Sequence, residues 1–398
     1  MQKRVWTLLM LLVLALPVLA ACGSTEATTA PTTGTGAATT APATTVAEAP
    51  TTAAATVAPT EAVEATAAMT PTMAVEATAV VSPTAGTSTG GNAGTLRIGL
   101  VTDVGKVTDG TFNQYAYEGL KRAEKELGVQ VDFVETVNSS DYDKNIDQFA
   151  TQKYDLIIGV GFLMGDAIKA AASRYPDLKF AIVDFAYDPT IANVKGLVFN
   201  EDEAGFLAGA LAAQLSTSGK IGVVGGVEIP PVQKYVLGYE AGAKYVNPDI
   251  EVAKVYVPSF TDPAQGAEAA KNQISEGADV IFGAGGQTGS GAIQSAAEAG
   301  VFVIGVDQDE YNTTFKGGPA PKLASSALKR VDNAVFAVIQ EIVDGKFEGG
   351  LYVGTAENGG VDYADFHDAE VSAEIKAKLD EIKAALADGS LKTNVTLP

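Results

Sequence analysis

Short apolar runs recur along residues 95–398, and nearly all of them are followed by a turn and a stretch with helical spacing. The eight runs are 96–101, 129–134, 156–160, 180–183, 221–224, 252–257, 280–282 and 301–306. Continuous apolar runs of this length are typical of parallel strands that are buried on both faces. The helical stretches between them include 112–127, 205–215, 265–276 and 291–298. This alternation predicts an α/β fold built from βαβ units with right-handed crossovers, and therefore doubly wound sheets.

The two halves of this region look alike. Residues 96–101 begin the first half, and residues 220–225 begin a second one; each run ends in a polar, Gly-containing loop. We predict two Rossmann-like lobes joined by a hinge. The first would comprise about 95–205 plus a returning helix near 325–345, and the second about 216–320 plus 350–398. Ligands of open α/β sheets bind beyond the carboxyl ends of the strands, so we expect one cleft that closes by domain motion.

The N-terminus has the pattern of a secretory signal. Lys3 and Arg4 precede an apolar stretch that ends at Cys22, the only cysteine of the chain. Basic, apolar and small-residue segments in this order are typical of a cleaved signal, and the segment resembles a bacterial lipobox, in which the cysteine is acylated. The alternative is a short transmembrane helix, but about 17 residues barely span a hydrocarbon core. We therefore predict a signal peptide over 1–21 and a lipid-anchored protein on the extracytoplasmic face of the cell membrane.

Composition and charge change abruptly along the chain. Residues 22–94 are rich in Thr, Ala and Pro and contain no aromatic residue, which predicts a disordered tether. The signal holds two of the 27 basic residues and the tether holds five of the 48 acidic residues, so residues 95–398 carry a net charge of −18. A body this acidic repels nucleic acid and anionic lipid, so we expect no nucleic-acid partner and membrane attachment through the lipid alone.

Polar, aromatic and glycine residues follow several of the predicted strands. Carboxylates pair with vicinal hydroxyls, aromatic rings stack on flat ligands, and glycines let backbone amides approach a ligand closely. Each residue also has a structural alternative: aspartates at strand ends cap helices, Gly-rich loops form plain turns, and Phe282 has a strand position compatible with the core. The candidates from these loops are Asp103, Phe112, Asn113, Asp184, Phe282, Gly285, Gly286 and Asp307.

Enzymatic chemistry is disfavoured by the residues present after Cys22. The body has no cysteine and one histidine, His367, which lies in a polar segment typical of a surface. No zinc motif, phosphate-binding P-loop or Gly-x-Gly-x-x-Gly fingerprint is present, although paired acids such as Asp307 and Asp309 leave acid–base chemistry open. We expect no enzyme activity, no cofactor and no metal.

Four segments together resemble the basic membrane protein family of lipoproteins, the Med-like, purine-nucleoside-receptor type. They are residues 101–119, 200–209, 229–248 and 304–331, in the order and spacing of that family. The resemblance implies a type I periplasmic binding protein fold. It also implies a monomeric receptor that captures purine or other nucleosides and delivers them to an ABC-type permease.

The resemblance also implies roles for single residues. Phe112 would stack on one face of the base and Phe282 on the other. The polar edge of the base would be read by Asp103, Asn113 and Asp184. Asp307 and Lys329 would hold the ribose hydroxyls, helped by the backbone amides around Gly285 and Gly286.

Two other receptor classes fit the same fold. A sugar, autoinducer or amino-acid receptor remains open because fold does not dictate ligand. A sensory ectodomain is disfavoured because the body carries no apolar segment that would transmit a signal through a membrane. The base preference and the identity of the permease remain open at the level of sequence.

Overall fold

The computed structural model describes residues 95–398. The predicted signal peptide, Cys22 and the predicted tether fall on residues 1–94 and lie outside the described residues. Within 95–398, no helix combines the length and apolarity needed to cross a membrane.

The described residues form two six-stranded sheets. The strands in chain order are β1 Arg97–Val104, β2 Gln130–Thr136, β3 Leu156–Val160, β4 Phe180–Val183, β5 Val194–Phe199, β6 Lys220–Gly225, β7 Glu251–Tyr256, β8 Val280–Ala284, β9 Phe302–Asp307, β10 Leu323–Lys329, β11 Gly350–Gly354 and β12 Val361–Tyr363. The first sheet has the order β11-β5-β4-β3-β1-β2, and the second has the equivalent order β12-β10-β9-β8-β6-β7. All neighbouring strands are parallel except β12, which runs antiparallel to β10.

Helices cover the faces of both sheets. They are α1 Phe112–Leu127, α2 Tyr142–Ala150, α3 Gly165–Arg174, α4 Glu201–Leu215, α5 Pro230–Val246, α6 Pro263–Ser275, α7 Gly286–Glu298, α8 Val331–Val343 and α9 Ala373–Ala387, with short 3-10 turns at Ser139–Asp141 and Phe162–Met164. Helices α1, α2, α3 and α8 pack on the first sheet and form lobe 1 with it. The remaining helices pack with the second sheet and form lobe 2. The predicted α/β architecture with two doubly wound lobes is confirmed.

The apolar runs of the sequence correspond to strands. All eight predicted runs coincide with strands β1 to β4 and β6 to β9, and the predicted helix over 112–127 has the bounds of α1. The central strands β3, β4 and β8 are buried along their whole length, as expected for parallel strands covered on both faces. The periodicity therefore located two thirds of the strands.

The chain crosses between the lobes three times, and two strands lie elsewhere than expected. The crossings follow β5, β10 and β11. Residues 350–354 were expected in lobe 2, but β11 pairs with β5 of the first sheet. Residues 325–329 were expected in the returning helix of lobe 1, but they belong to β10, which lies between β12 and β9 in the second sheet, and α8 begins only at Val331. The apolar pattern did not predict β10, because Ser325 and Ser326 interrupt it.

Helices α4 and α5 pack unusually close together and fix the position of α5. A Cβ atom added at Gly209 would lie 1.9 Å from the backbone oxygen of Tyr239, and one added at Gly242 would lie 1.9 Å from that of Phe206. Larger residues would force the helices apart, so glycine is required at both contacts. This close packing holds Tyr235 of α5 in the space between the lobes.

Candidate ligand-binding site

A cavity lies between the lobes, at the carboxyl ends of the central strands. It encloses about 660 Å³ of empty space, part of which is open to solvent. Eight of the nine predicted binding residues line it: Asp103, Phe112, Asn113 and Asp184 from lobe 1, and Gly285, Gly286, Asp307 and Lys329 from lobe 2. The cavity also has lining residues outside the predicted set, among them Asp109, Phe162, Val232, Tyr235, Phe260 and Gln287.

Lys329 is the centre of a buried charge cluster at one end of the cavity. Its Nζ atom lies 2.8 Å from Asp184 Oδ2, 3.7 Å from Asp307 Oδ1 and 3.8 Å from Glu201 Oε1. Lys329 is only 3% exposed. The second carboxylate oxygen of Glu201, Oε2, accepts a hydrogen bond from Lys234 Nζ at 3.0 Å. Carboxylates from both lobes therefore share one cation beside the cavity.

Burial and neighbouring charges act in opposite directions on this cluster. Burial raises the pKa of Asp307 to about 6, although Lys329 opposes the shift. Burial likewise raises the pKa of Glu201 to about 7, again against the attraction of Lys329. Burial alone would lower the pKa of Lys329, but the charges of Asp184, Asp307 and Glu201 outweigh it and raise that pKa above its usual value. Lys329 therefore stays cationic at neutral pH.

Two aspartates of the cluster have the same unusual backbone conformation. Asp184 follows β4 with φ 66°, and Asp307 ends β9 with φ 65°. β4 and β9 occupy equivalent places in the two sheets. A non-glycine residue with positive φ is strained, and such strain concentrates at functional sites. The Oδ1 atom of Asp184 is buried and has no hydrogen-bond partner within the described residues.

Asp103, Asn113 and Asp109 form a second polar group at the lobe 1 side of the cavity. The Asp103 carboxylate accepts hydrogen bonds from the Tyr142 hydroxyl and from the backbone N–H of Val104. Asn113 donates from Nδ2 to Asp109 Oδ2 at 3.0 Å, and its Oδ1 accepts from the backbone N–H of Asp103 at 3.2 Å. Burial raises the pKa of Asp103, although its hydrogen bonds oppose this. These contacts hold the carboxylate and the amide in fixed positions beside the cavity.

Aromatic rings from both lobes line the cavity. Phe112 and Phe162 come from lobe 1, and Tyr235 and Phe260 come from lobe 2. The Lys329 Nζ atom lies 4.7 Å from the centre of the Phe112 ring, within the range of a cation–π contact. The ring of Phe112 therefore links the aromatic part of the cavity to the charge cluster.

The predicted stacking role of Phe282 is not compatible with its position. Phe282 is completely buried in the core of lobe 2 and does not line the cavity. Its ring stacks on Tyr239 with 5.2 Å between centroids and meets Tyr235 edge-on at 6.0 Å. A side chain in the middle of a parallel strand points into a helix layer rather than beyond the strand end. Phe260, in the loop after β7, and Tyr235 of α5 are the aromatic residues that lobe 2 places at the cavity.

The two predicted glycines lie where a helix begins at the cavity. Gly286 is the first residue of α7 and has φ 57°, and Gly285 precedes it. A Cβ atom at Gly285 would lie 2.4 Å from the backbone N of Gly226, so the loop has no room for a side chain there. Free backbone N–H groups at a helix N-terminus attract oxygen atoms of ligands.

The described residues contain no group of three or more His, Cys, Asp and Glu side chains arranged to hold a metal ion. His367 lies outside the cavity lining, and its Nε2 contacts Asp309 Oδ2 at 2.7 Å. The chemistry of the site is therefore that of carboxylates, one lysine, amides and aromatic rings.

Comparisons with known proteins agree with this geometry. Residues 97–391 match the family described as PnrA-like ABC transporter substrate-binding proteins. An ABC transporter nucleoside-binding protein named BmpA from Lactococcus lactis is 34% identical over 313 residues, covering 74% of this chain and 88% of that protein. An uncharacterised lipoprotein of Pyrococcus abyssi is 32% identical over 316 residues, covering 76% of this chain and 77% of its own length.

A solved structure extends the comparison to three dimensions. The crystal structure of an ABC transporter solute-binding protein from Aeropyrum pernix has a TM-score of 0.68 and 28% sequence identity, and it covers 75% of this chain and 92% of that one. The family consists of substrate-binding proteins rather than enzymes, as the residue content indicated. The chain belongs to the family of PnrA-like ABC transporter substrate-binding proteins.

Proposed function

We propose that this protein captures nucleosides, with a preference for purine nucleosides, in the interlobe cavity and delivers them to an ABC importer. The observation that carries the proposal is the Lys329 cluster beside Phe112, which combines fixed acceptors and an aromatic face in one cavity. A nucleoside needs both: its ribose offers vicinal hydroxyl donors, and its base offers a flat ring.

The acceptors suit ribose hydroxyls. Asp184 has a free buried Oδ1 atom, and Asp307 lies on the opposite lobe with its Oδ1 atom 3.7 Å from Lys329 Nζ. Hydroxyl donors that enter between the lobes would pair with these oxygens, and a buried acceptor gains most from a partner because it has lost its water. Lys329 lies close enough to both carboxylates to hold their oxygen atoms in place beside the cavity.

The cavity is unsuited to phosphate. Of the described residues that line it, Lys329 is the only lysine or arginine, and it is already paired with carboxylates. Asp103, Asp109 and Asp184 would repel a phosphate group in this poorly solvated space. The proposal therefore distinguishes nucleosides from their monophosphates. The name of the Lactococcus relative, a nucleoside-binding protein, agrees with this ligand class.

The binding test is a calorimetric titration with guanosine, inosine, adenosine, cytidine, uridine, ribose and the purine monophosphates. We expect heat and saturation with the purine nucleosides, weaker binding of pyrimidine nucleosides, and none with the monophosphates. Tight binding of ribose alone, without any nucleoside signal, would assign the chain to the sugar receptors instead. Mass spectrometry of ligand released from the purified protein gives an independent identification.

We also propose that the mature chain begins at an acylated Cys22 and stays on the extracytoplasmic face of the membrane. The signal pattern before Cys22 supports this anchor, and the Pyrococcus relative is named as a lipoprotein. Two or more acyl chains would give stable attachment, whereas one chain gives only marginal binding. Cys22→Ala should yield precursor or released protein. Membrane-bound Cys22→Ala at the mature mass would contradict the anchor.

A further inference from the structure

Two hydrogen bonds join the lobes beside the cavity, separately from the charge cluster. Gln308 Nε2 donates to the backbone oxygen of Thr111 at 3.0 Å, and Thr313 Oγ1 donates to the backbone oxygen of Gly110 at 2.7 Å. Both donors belong to the loop between β9 and β10 of lobe 2, and both acceptors belong to the loop before α1 of lobe 1. Separation of the lobes would break both bonds at once.

The acceptor side is held by the partly buried carboxylate of Asp109. It accepts hydrogen bonds from the backbone N–H groups of Thr111 at 2.9 Å, Asn113 at 3.1 Å and Gln114 at 3.0 Å. These three donors are among those that a helix N-terminus leaves unsatisfied, so Asp109 fixes the loop to the first turn of α1. The two acceptor carbonyls are thus held in place before the lobes meet.

The donor side is held by a second carboxylate, that of Glu310, which is 0% exposed. Its Oε1 atom accepts from the backbone N–H of Val306 at 3.0 Å, and its Oε2 atom accepts from Ser290 Oγ at 2.8 Å and from Thr314 Oγ1. These contacts tie the loop to β9 and α7. Burial raises the pKa of Glu310 to about 7, although its three hydrogen bonds oppose the shift; repulsion from Asp307 adds to it.

We propose that Gln308 and Thr313 form a latch that biases the two lobes toward the closed arrangement without ligand, and that Glu310 is the positioning residue of this latch. Groups that are already ordered lose little conformational entropy when they bond, so even two neutral hydrogen bonds shift an equilibrium between open and closed lobes. The latch goes beyond the proposed function because it acts whatever the ligand is.

The test measures lobe separation in ligand-free protein. The full chain with Cys22→Ala would carry Lys144→Cys on α2 of lobe 1 and Lys271→Cys on α6 of lobe 2, both at exposed positions, for distance measurement between two labels. Thr313→Val and Gln308→Met each remove one donor of the latch. Thr217→Val is the matched control, because Thr217 Oγ1 bonds to Asp279 within lobe 2.

We expect Thr313→Val and Gln308→Met each to raise the ratio of open to closed lobes by about three- to tenfold, the effect of losing one hydrogen bond. Thr217→Val should leave the distance distribution unchanged. A wild-type distribution that neither Thr313→Val nor Gln308→Met alters would overturn the latch. Because no ligand is added, this result is independent of whether nucleosides bind.

A double-mutant cycle tests the role of Glu310. Glu310→Gln keeps the size of the side chain but weakens its hold on the loop, so it should also open the lobes. Its effect should shrink in the Thr313→Val background, because one of the two latch bonds that Glu310 positions is already absent there. Full additivity of Glu310→Gln and Thr313→Val on the opening ratio, or opening only in proportion to a fall in melting temperature, would refute the positioning role.

Discussion

Replacing Phe112 by Ala should weaken nucleoside binding without much loss of stability. The ring is only partly buried, lines the cavity and lies 4.7 Å from Lys329 Nζ. Stacking of an aromatic side chain on a base contributes about 1–3 kcal/mol, which corresponds to roughly 5- to 150-fold in the dissociation constant. Calorimetry with guanosine or inosine on the full chain with Cys22→Ala would measure this change.

Phe282→Leu is the informative counterpart, because it removes an aromatic ring from the core rather than from the cavity. Phe282 is completely buried and stacks on Tyr239. We expect Phe282→Leu to reduce the free energy of unfolding by about 1–2 kcal/mol through lost packing, while the dissociation constant changes less than about twofold. The opposite pattern, with intact binding in Phe112→Ala and a tenfold loss in Phe282→Leu, would refute this placement of the base.

Three further predictions concern buried charged groups and are tested by one substitution each. Asp307→Asn should weaken binding of ribosides by about tenfold and of free bases much less, because it removes a charged acceptor for a hydroxyl; calorimetry with guanosine and guanine separates the two. Lys329→Met should lower the free energy of unfolding by about 3–5 kcal/mol, because three buried carboxylates lose their cation; urea unfolding would measure this. Stability should fall as pH rises from about 4.5 through 7, because burial raises the pKa of Glu201 and of Glu310 to about 7 and the folded state then binds protons that the unfolded state has released. Glu310→Gln should flatten this dependence between pH 5 and 8, and an unchanged slope would contradict the assignment.

Much of the fold could be predicted from the sequence because buried parallel strands are continuous apolar runs. For β10 and β11, which were not predicted, the structure gives the physical reason. β10 is an interior strand, but its pattern is not apolar, because Ser325 and Ser326 form hydrogen bonds within the fold, Ser325 by donating to the backbone oxygen of Ala364. β11 is a short edge strand that contains Gly350 and Gly354, and its partner sheet is set by a chain crossing that no local pattern shows.

The candidate site was predictable where residues follow a strand directly. Asp184 and Asp307 were found in this way, and they meet at Lys329. Glu201 was not predicted as a site residue, because its contact with Lys329 depends on the approach of β10 to the start of α4, which are distant in the chain. Phe282 was misplaced because sequence alone does not tell a strand residue that faces a helix from one that ends at the cavity.

The equal strand order of the two sheets gives the two lobes corresponding positions at the cavity. Asp184 directly follows β4 and Asp307 ends the equivalent strand β9, and both residues have the same backbone conformation. A symmetric pair of such lobes would present identical groups from both sides to its ligand. β5 and β10 are also equivalent, yet one ends in Phe199, which is buried in the core, and the other in Lys329, which lines the cavity. The two lobes therefore present different groups to the cavity from corresponding positions, and this asymmetry suits the proposed ligand, which has a ring at one end and hydroxyls at the other.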